Sequence, residues 1–169
     1  YRDIISTKGQ SQILFIRTDK INRKNYLSST QIQVLSNYFK IHSHSHSHPN
    51  HFLLNDREIR QEGMISKQNI ENITGNPVKF YAFPGGDFSF RSIKILAEIG
   101  YREFFTSVPL FFTRNLRYNG VTLNIHGRVE VFSPGYSTIE RYYSLSVVSR
   151  RLLRHTLGFS NRYIRSRLK

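Results

Sequence analysis

Four histidines that alternate with serines are the residues of this chain best suited to bind a metal ion. They occupy positions 42, 44, 46 and 48, immediately before Pro49. In an extended strand, side chains four residues apart lie about 13 Å from each other and cannot share one ion. On a helical turn they lie on the same face and can converge. The spacing therefore leaves three kinds of pair open: His44 with His48, His42 with His46, or an adjacent His-x-His pair.

The composition restricts what could complete such a site. The 169 residues include no cysteine, so a metal must be held by His, Asp or Glu, and disulfides are excluded. Two imidazoles alone make a poor catalytic site, because catalytic zinc uses three protein ligands. A polar loop that binds metal without catalysing a reaction is therefore the competing interpretation of the histidines.

The segments around the histidines alternate between predicted strands and predicted helices. Short apolar or aromatic stretches predict strands at residues 13–16, 78–83, 101–106, 122–125 and 128–132. Capping residues and helical spacing predict helices that begin near residues 28–30, that run from Asp56 to Gly75, and that cover residues 89–99 with Phe90 facing inward. This order predicts parallel β-α-β units and an α/β fold, with 169 residues sufficient for one compact domain.

Functional residues of parallel sheets lie at the carboxyl ends of the strands. The histidine stretch follows one such position, and Pro84-Gly85-Gly86 follows another. We therefore expect both segments to belong to the same site.

Four segments resemble, in order, the motifs of one enzyme family. "SHSHSHP" at residues 43–49 resembles the second motif, Ser-His-Ser/Thr-x-x-His-Pro, of the NodB-type polysaccharide deacetylases, carbohydrate esterase family 4. "STQIQVLSNYFKIHSHS" is similar to the helix that leads into this motif. "EIRQEGMISKQNIENITGNPVKFYAFPGG" resembles the next helix and the FAYPyG segment, and "KILAEIGYREFFTS" resembles the Gly-Tyr segment. The similarity covers about residues 9 to 132.

The resemblance implies a fold and a domain organisation. It predicts a truncated or distorted (β/α) barrel of the NodB type over residues 1–140. The alternation of aliphatic and basic residues predicts a basic, helical, amphipathic extension over residues 141–169. The resemblance also implies deacetylation of N- or O-acetyl groups of a cell-surface polysaccharide or its precursor. In this family a divalent ion, usually zinc, is held by two His and one Asp and activates water.

The family motifs assign roles to individual residues. His44 and His48 are the implied metal ligands, and Ser45 and Ser47 would orient them. The Gly85 backbone N–H is the candidate oxyanion donor. The residues implied to line the substrate groove are Tyr81, Phe83, Pro84 and Gly86, with the core as the alternative for the two aromatic side chains.

The assignment of a general acid depends on a shorter match. "LNIH" matches the family's Leu-x-x-His motif and makes His126 the candidate. The segment that follows, "GRVEVF", instead resembles the ending of the domain in the FAYPyG subgroup, and that subgroup lacks the histidine. A solvated or core-edge histidine is the competing interpretation.

The family's first motif, Thr-Phe-Asp-Asp-Gly, is absent from the sequence. It supplies the catalytic base and the third metal ligand, and the chain begins "YRDIIS" as though cut just after that motif. The spacing of Asp3 and Asp87 does not mark either as a replacement. Two expectations follow: the motif lies upstream in the natural protein, or the chain is an impaired, glycan-binding relative.

The charge is concentrated near the carboxyl terminus. The formal net charge is +14, from 25 Lys and Arg against 11 Asp and Glu, and no acidic residue follows Glu140. We expect residues 141–169 to dock on an acidic membrane surface. A nucleic-acid-binding protein is the lesser alternative, and nucleic acid is not the expected partner, because no recognition motif accompanies the charge. No stretch approaches the roughly 20 apolar residues that span a bilayer, and a cytoplasmic or membrane-peripheral location in a bacterium is expected.

Overall fold

The computed structural model describes residues 12–107 and 113–127 of the chain. Within these ranges one six-stranded sheet is accompanied by three α-helices and two 3-10 turns. The strands are β1 (Ile13–Ile16), β2 (Lys40–Ser43), β3 (Phe80–Ala82), β4 (Glu103–Phe105), β5 (Arg114–Tyr118) and β6 (Val121–His126). The α-helices are α1 (Ser29–Leu35), α2 (Asp56–Thr74) and α3 (Phe90–Glu98), and the 3-10 turns are Thr18–Lys20 and Pro84–Gly86.

The sheet order is β1-β2-β3-β4-β6-β5. Pairing is parallel from β1 through β4 to β6, and antiparallel between β6 and β5. The predicted α/β class with a parallel sheet is thereby confirmed. Closure into a barrel stays a prediction, because β1 and β5 are the two ends of the described sheet order.

All three helices begin with a capping box, in which an N-cap side chain and the residue three positions later bond each other's backbone N–H. The N-caps are Ser28, Asn55 and Ser89. The sequence predicted the start of α2 at Asp56, and the cap is the preceding residue. Gly75 ends α2 with a left-handed backbone, φ 70°, a conformation that glycine adopts without steric cost.

Buried aliphatic side chains and four buried aromatic rings form the hydrophobic core of the described residues. The rings of Tyr81 and Tyr101 lie 5.0 Å apart, and both side chains are fully buried. Helix α2 packs closely against helix α3 at Gly63, where an added Cβ would lie 2.5 Å from Leu96 Cδ2. The Tyr101 hydroxyl donates to the Gly63 carbonyl at 3.0 Å. This packing fixes β3, whose carboxyl end carries part of the site.

Two elements were missed by sequence analysis and one orientation was wrong. The missed strands are β2, which contains His42, and β5, which forms a hairpin with the predicted strand β6. The hairpin turns at Asn119 and Gly120, with φ of 48° and 77°. Phe90, predicted to face inward, is 60% exposed. The predicted strand at 128–132 and the basic tail at 141–169 lie outside the described residues. Within the described ranges, the helices are too short or too polar to cross a membrane.

Candidate active site

The histidine stretch leaves the sheet at the carboxyl end of β2. The strand ends at Ser43, and the next residue, His44, still donates its N–H to the Ile16 carbonyl at the end of β1, at 2.9 Å. The Pro84–Gly86 turn follows the adjacent parallel strand β3. Both segments therefore lie at the same edge of the sheet, as the alternation of strands and helices predicts.

His44 is held in one tautomer. Its Nδ1 lies 2.8 Å from the carbonyl oxygen of Ala82, at the end of β3. Because a carbonyl oxygen only accepts hydrogen bonds, Nδ1 carries the proton, and in the neutral ring Nε2 carries the lone pair. Histidines that bind metals typically donate their other ring N–H to the protein in this way. If His44 is a metal ligand, as predicted, Nε2 is the atom that would bind the ion.

A tight turn brings His48 beside His44. Ser45 and His48 both have a left-handed backbone, with φ of 67° and 65°. The Ser45 hydroxyl accepts from the His48 N–H at 2.9 Å, and the Ser45 N–H donates to Ser43 Oγ at 3.1 Å. The two imidazole centroids lie 4.9 Å apart with an interplanar angle of 78°. The two rings therefore converge through a turn and not through a helix.

The other two histidines of the stretch have different partners. His42 is buried, and its ring lies 4.2 Å from that of Phe80. Burial, with a contribution from nearby lysines, lowers the pKa of His42 to about 4, so the ring is neutral at pH 7. His46 hydrogen-bonds through Nδ1 to Thr18 Oγ1 at 2.9 Å. Of the pairs that spacing left open, His44 with His48 is the one the structure shows in ring contact.

The two serines expected to orient the histidines have different partners. Ser45 is fully buried and accepts from the backbone N–H of His48. Ser47 donates from its hydroxyl to Glu62 Oε1 of helix α2 at 2.6 Å. An orienting role for these serines stays a prediction, and it would act through the shape of the turn.

The Pro84–Gly86 turn presents Gly85 to the surface. Gly85 has φ 61° and is the exposed residue of this turn, between buried neighbours. The hydrogen bonds that close the turn are donated by the N–H groups of Gly86 and Asp87, to Phe83 and Pro84. The Gly85 N–H is thus not used in closing the turn, which suits its predicted role as an oxyanion donor.

Gly86 has no room for a side chain. A Cβ there would lie 1.9 Å from Ser107 Oγ and 2.3 Å from the Ser107 backbone nitrogen. The Ser107 hydroxyl donates to the Gly85 carbonyl at 2.9 Å. This contact fixes the turn against the end of β4, and it makes Gly86 a residue of close packing.

The expected groove aromatics are core residues. Tyr81 and Phe83 are both fully buried, and their rings pack 5.2 Å apart. The core alternative fits both rings, because neither ring is exposed in the described part of the chain, and substrate contact by either ring stays a prediction. Pro84 and Gly86 are buried as well, and their role in lining a groove also stays a prediction.

A fifth histidine, His51, was missed although it lies three residues after His48 in the same stretch. Its Nε2 hydrogen-bonds to the Tyr81 hydroxyl at 2.8 Å, and both side chains are fully buried. Burial, reinforced by nearby His44, lowers the pKa of His51 to about 4. Among the described residues, its buried Nδ1 has no hydrogen-bond partner. His51 therefore ties the segment after the candidate ligands to β3 as a neutral ring.

His126, the candidate general acid, lies at the end of β6 in a polar cluster. Its Nε2 donates to Glu103 Oε2 at 2.6 Å, and its Nδ1 hydrogen-bonds to Thr113 Oγ1 at 2.9 Å. Asn124 donates to the other oxygen of Glu103 at 2.7 Å, and the ring stacks on Phe105 at 4.7 Å. The imidazole is half-exposed and held at both nitrogens, and its catalytic role stays a prediction.

The site is incomplete as a metal centre within the described ranges. Over residues 12–107 and 113–127, no group of three or more His, Cys, Asp or Glu side chains could hold an ion. His44 and His48 fit as two of the three protein ligands that a catalytic zinc uses. If the two histidines hold a catalytic zinc, as predicted, the third protein ligand would have to lie outside these ranges.

These features define an α/β domain with a pair of histidines and an exposed glycine turn at the carboxyl edge of a parallel sheet. The family model named Polysaccharide deacetylase matches residues 3–104 of the chain. The chain belongs to the polysaccharide deacetylase family.

Solved structures with the same fold belong to this family as well. A polysaccharide deacetylase from Bacillus cereus is 21% identical with a TM-score of 0.57, over 64% of this chain and 34% of that one. A putative polysaccharide deacetylase from Bacillus anthracis is 21% identical with a TM-score of 0.55, over 63% of this chain and 34% of that one. A mutant of a CE4-family pseudoenzyme from the same organism is 20% identical with a TM-score of 0.55, over 63% of this chain and 38% of that one. At these identities the likeness concerns the fold.

This chain matches about a third of the length of those proteins. No protein with a curated description matches the sequence.

Proposed function

We propose that this chain forms part of a metal-dependent deacetylase that hydrolyses N- or O-acetyl groups of a cell-surface polysaccharide or its precursor. The observation that carries the proposal is the hydrogen bond of the His44 ring together with its contact to the His48 ring. Its Nδ1 is committed to the Ala82 carbonyl at 2.8 Å, and His48 lies in ring contact at 4.9 Å. Membership of the deacetylase family supports the same reaction.

The two histidines would hold a divalent ion, most simply zinc, through imidazole nitrogens. Such an ion, when bound, polarises an acetyl carbonyl and lowers the pKa of a bound water. The Gly85 N–H would stabilise the oxyanion of the acetyl group, because Gly85 is an exposed residue at the same edge of the sheet as the histidines and its N–H is not used in closing its own turn.

Proton transfer to the leaving group is proposed for His126. Its bond to Glu103 keeps the proton on Nε2, so Nδ1, with its Thr113 partner, is the nitrogen that exchanges a proton. The base and the third ligand are proposed to be the two Asp of a Thr-Phe-Asp-Asp-Gly motif upstream of Tyr1. The chain would then be one segment of a FAYPyG-like deacetylase barrel.

A glycan-binding relative without hydrolysis is the second candidate function. It is favoured by the lack of a three-ligand group in the described part of the chain, and one structure with the same fold is described as a pseudoenzyme. The two candidate functions make opposite predictions about whether acetate is released from an acetylated oligomer.

The test is acetate release from an N-acetylglucosamine oligomer, measured with the 169-residue chain and with the chain extended upstream by its natural sequence. The deacetylase proposal predicts release that needs zinc, that a chelator abolishes, and that His44→Ala removes. Saturable oligomer binding without acetate release from either protein, with zinc in excess, would favour the binding module instead.

A further inference from the structure

The loop that carries both candidate ligands is held by one carboxylate from helix α2. Glu62 Oε2 accepts from the backbone N–H groups of His46 and Ser47, each at 2.8 Å. Glu62 Oε1 accepts from the Ser47 hydroxyl at 2.6 Å. These three bonds all reach the two residues that lie between Ser45 and His48.

The loop needs such support because its backbone is unfavourable in isolation. Ser45 and His48 both have positive φ, at 67° and 65°, a region that residues with a side chain adopt at a cost. A backbone N–H that no helix or strand satisfies must also find another acceptor. Glu62 satisfies two such groups at the centre of the turn.

A second element holds the same loop from residues 18 and 19. Thr18 N–H donates to the Ser45 carbonyl at 3.3 Å, and Asp19 N–H donates to the His46 carbonyl at 3.0 Å. The 3-10 turn thus binds carbonyl groups of the loop, and Glu62 binds its N–H groups. Glu62 is the partner that a single side-chain change can remove.

Helix α2 places Glu62 firmly. The next residue, Gly63, is buried against α3 and accepts from Tyr101, and Ser66, one turn later, lies 2.7 Å from Ser43 Oγ at the end of β2. The carboxylate is therefore presented to the loop from a helix that is packed directly on the sheet.

We propose that Glu62 is a positioning residue for the metal site, which sets the separation of the His44 and His48 rings through the backbone of residues 46 and 47. This inference rests on the proposed function. It assigns Glu62 no contact with metal or substrate.

The test compares three single variants, each made in the chain extended upstream by its natural sequence, for zinc affinity by isothermal titration, alongside the visible spectrum of bound Co²⁺. Glu62→Ala removes all three bonds, and we expect zinc binding to weaken by about 10–100-fold, as for other outer partners of metal ligands. Glu62→Gln keeps an oxygen that can accept from both N–H groups, and we expect it to restore affinity to within about 3-fold of wild type. Gln61→Ala, at the exposed neighbouring position of the same helix, should leave affinity and spectrum unchanged.

A metal-free measurement accompanies the titration. Glu62→Ala should speed hydrogen exchange of the His46 and Ser47 amides while the far-UV circular dichroism stays that of the folded chain. If Glu62→Ala binds zinc as tightly as wild type and changes only the melting temperature, Glu62 is structural and the inference is overturned. If the wild-type protein itself binds no zinc, the proposed metal-dependent function is contradicted, and the role of Glu62 in positioning a metal site is contradicted with it.

Discussion

The two candidate ligands illustrate what a motif can and cannot predict at the scale of single residues. The resemblance selected His44 and His48 from four alternating histidines, and the structure shows those two rings in contact. The sequence could not predict the turn that joins them, because left-handed Ser45 and His48 have no propensity signal comparable to glycine. Tyr81 and Phe83 were ambiguous for a related reason, since an aromatic strand residue can face either the core or a groove.

His51 provides a prediction on pH dependence. Its pKa is about 4 in the folded chain, against 6.5 for an ordinary histidine. The unfolded state therefore binds more protons between these values, and stability falls as the pH drops from 6.5 to 4. His51→Gln keeps a partner for Tyr81 but does not titrate, and it should remove up to about 3 kcal/mol of the acid destabilisation. Urea unfolding at several pH values measures this, and parallel pH profiles of the two proteins would contradict it.

At the scale of elements, local signals predicted the helices better than the strands. Capping residues located the starts of the three described helices, and Gly75 located the end of α2, to within a residue or two. Strand β2 was missed because an alternation of Ser and His has the appearance of low complexity. The hairpin was missed although its Asn119-Gly120 pair is a strong signal for a two-residue turn. The fold class was predictable since the order of elements determines it.

Two glycine substitutions separate backbone strain from close packing. Gly86→Ala and Gly75→Ala both place a side chain at a φ near 70°. At Gly75 the new Cβ meets no atom within 4 Å, whereas at Gly86 it meets the Ser107 backbone nitrogen at 2.3 Å. We expect Gly75→Ala to cost about 1 kcal/mol and Gly86→Ala about 3 kcal/mol or more. Equal losses in urea unfolding would show that the contact with Ser107 does not restrict the turn.

At the scale of the whole molecule, the main feature of the sequence is the concentration of positive charge near its carboxyl end. Residues 141–169 contain eight Lys and Arg and no acid, and their docking on acidic lipid remains a prediction outside the described residues. The same is true of the barrel, because the sheet has two described ends. How the site is completed also stays a prediction, because the Thr-Phe-Asp-Asp-Gly motif expected to supply the base and the third ligand does not occur in this sequence.

The lipid prediction is tested by deleting residues 141–169. Each basic residue near an anionic surface contributes about 1 kcal/mol, so the full chain should sediment with phosphatidylserine vesicles at low salt and not with phosphatidylcholine vesicles. The truncated chain should stay in the supernatant. Undiminished sedimentation of the truncated chain would place the membrane contact elsewhere.

The most direct test of the central claim is the stoichiometry of zinc bound to the chain extended upstream by its natural sequence, and to the histidine variants of that protein, measured after gel filtration. We predict one zinc per chain for wild type and for His46→Ala, whose ring bonds to Thr18 instead. His44→Ala and His48→Ala should each lose the ion, because each removes one of the paired rings. One zinc per chain in both of these variants would contradict the site.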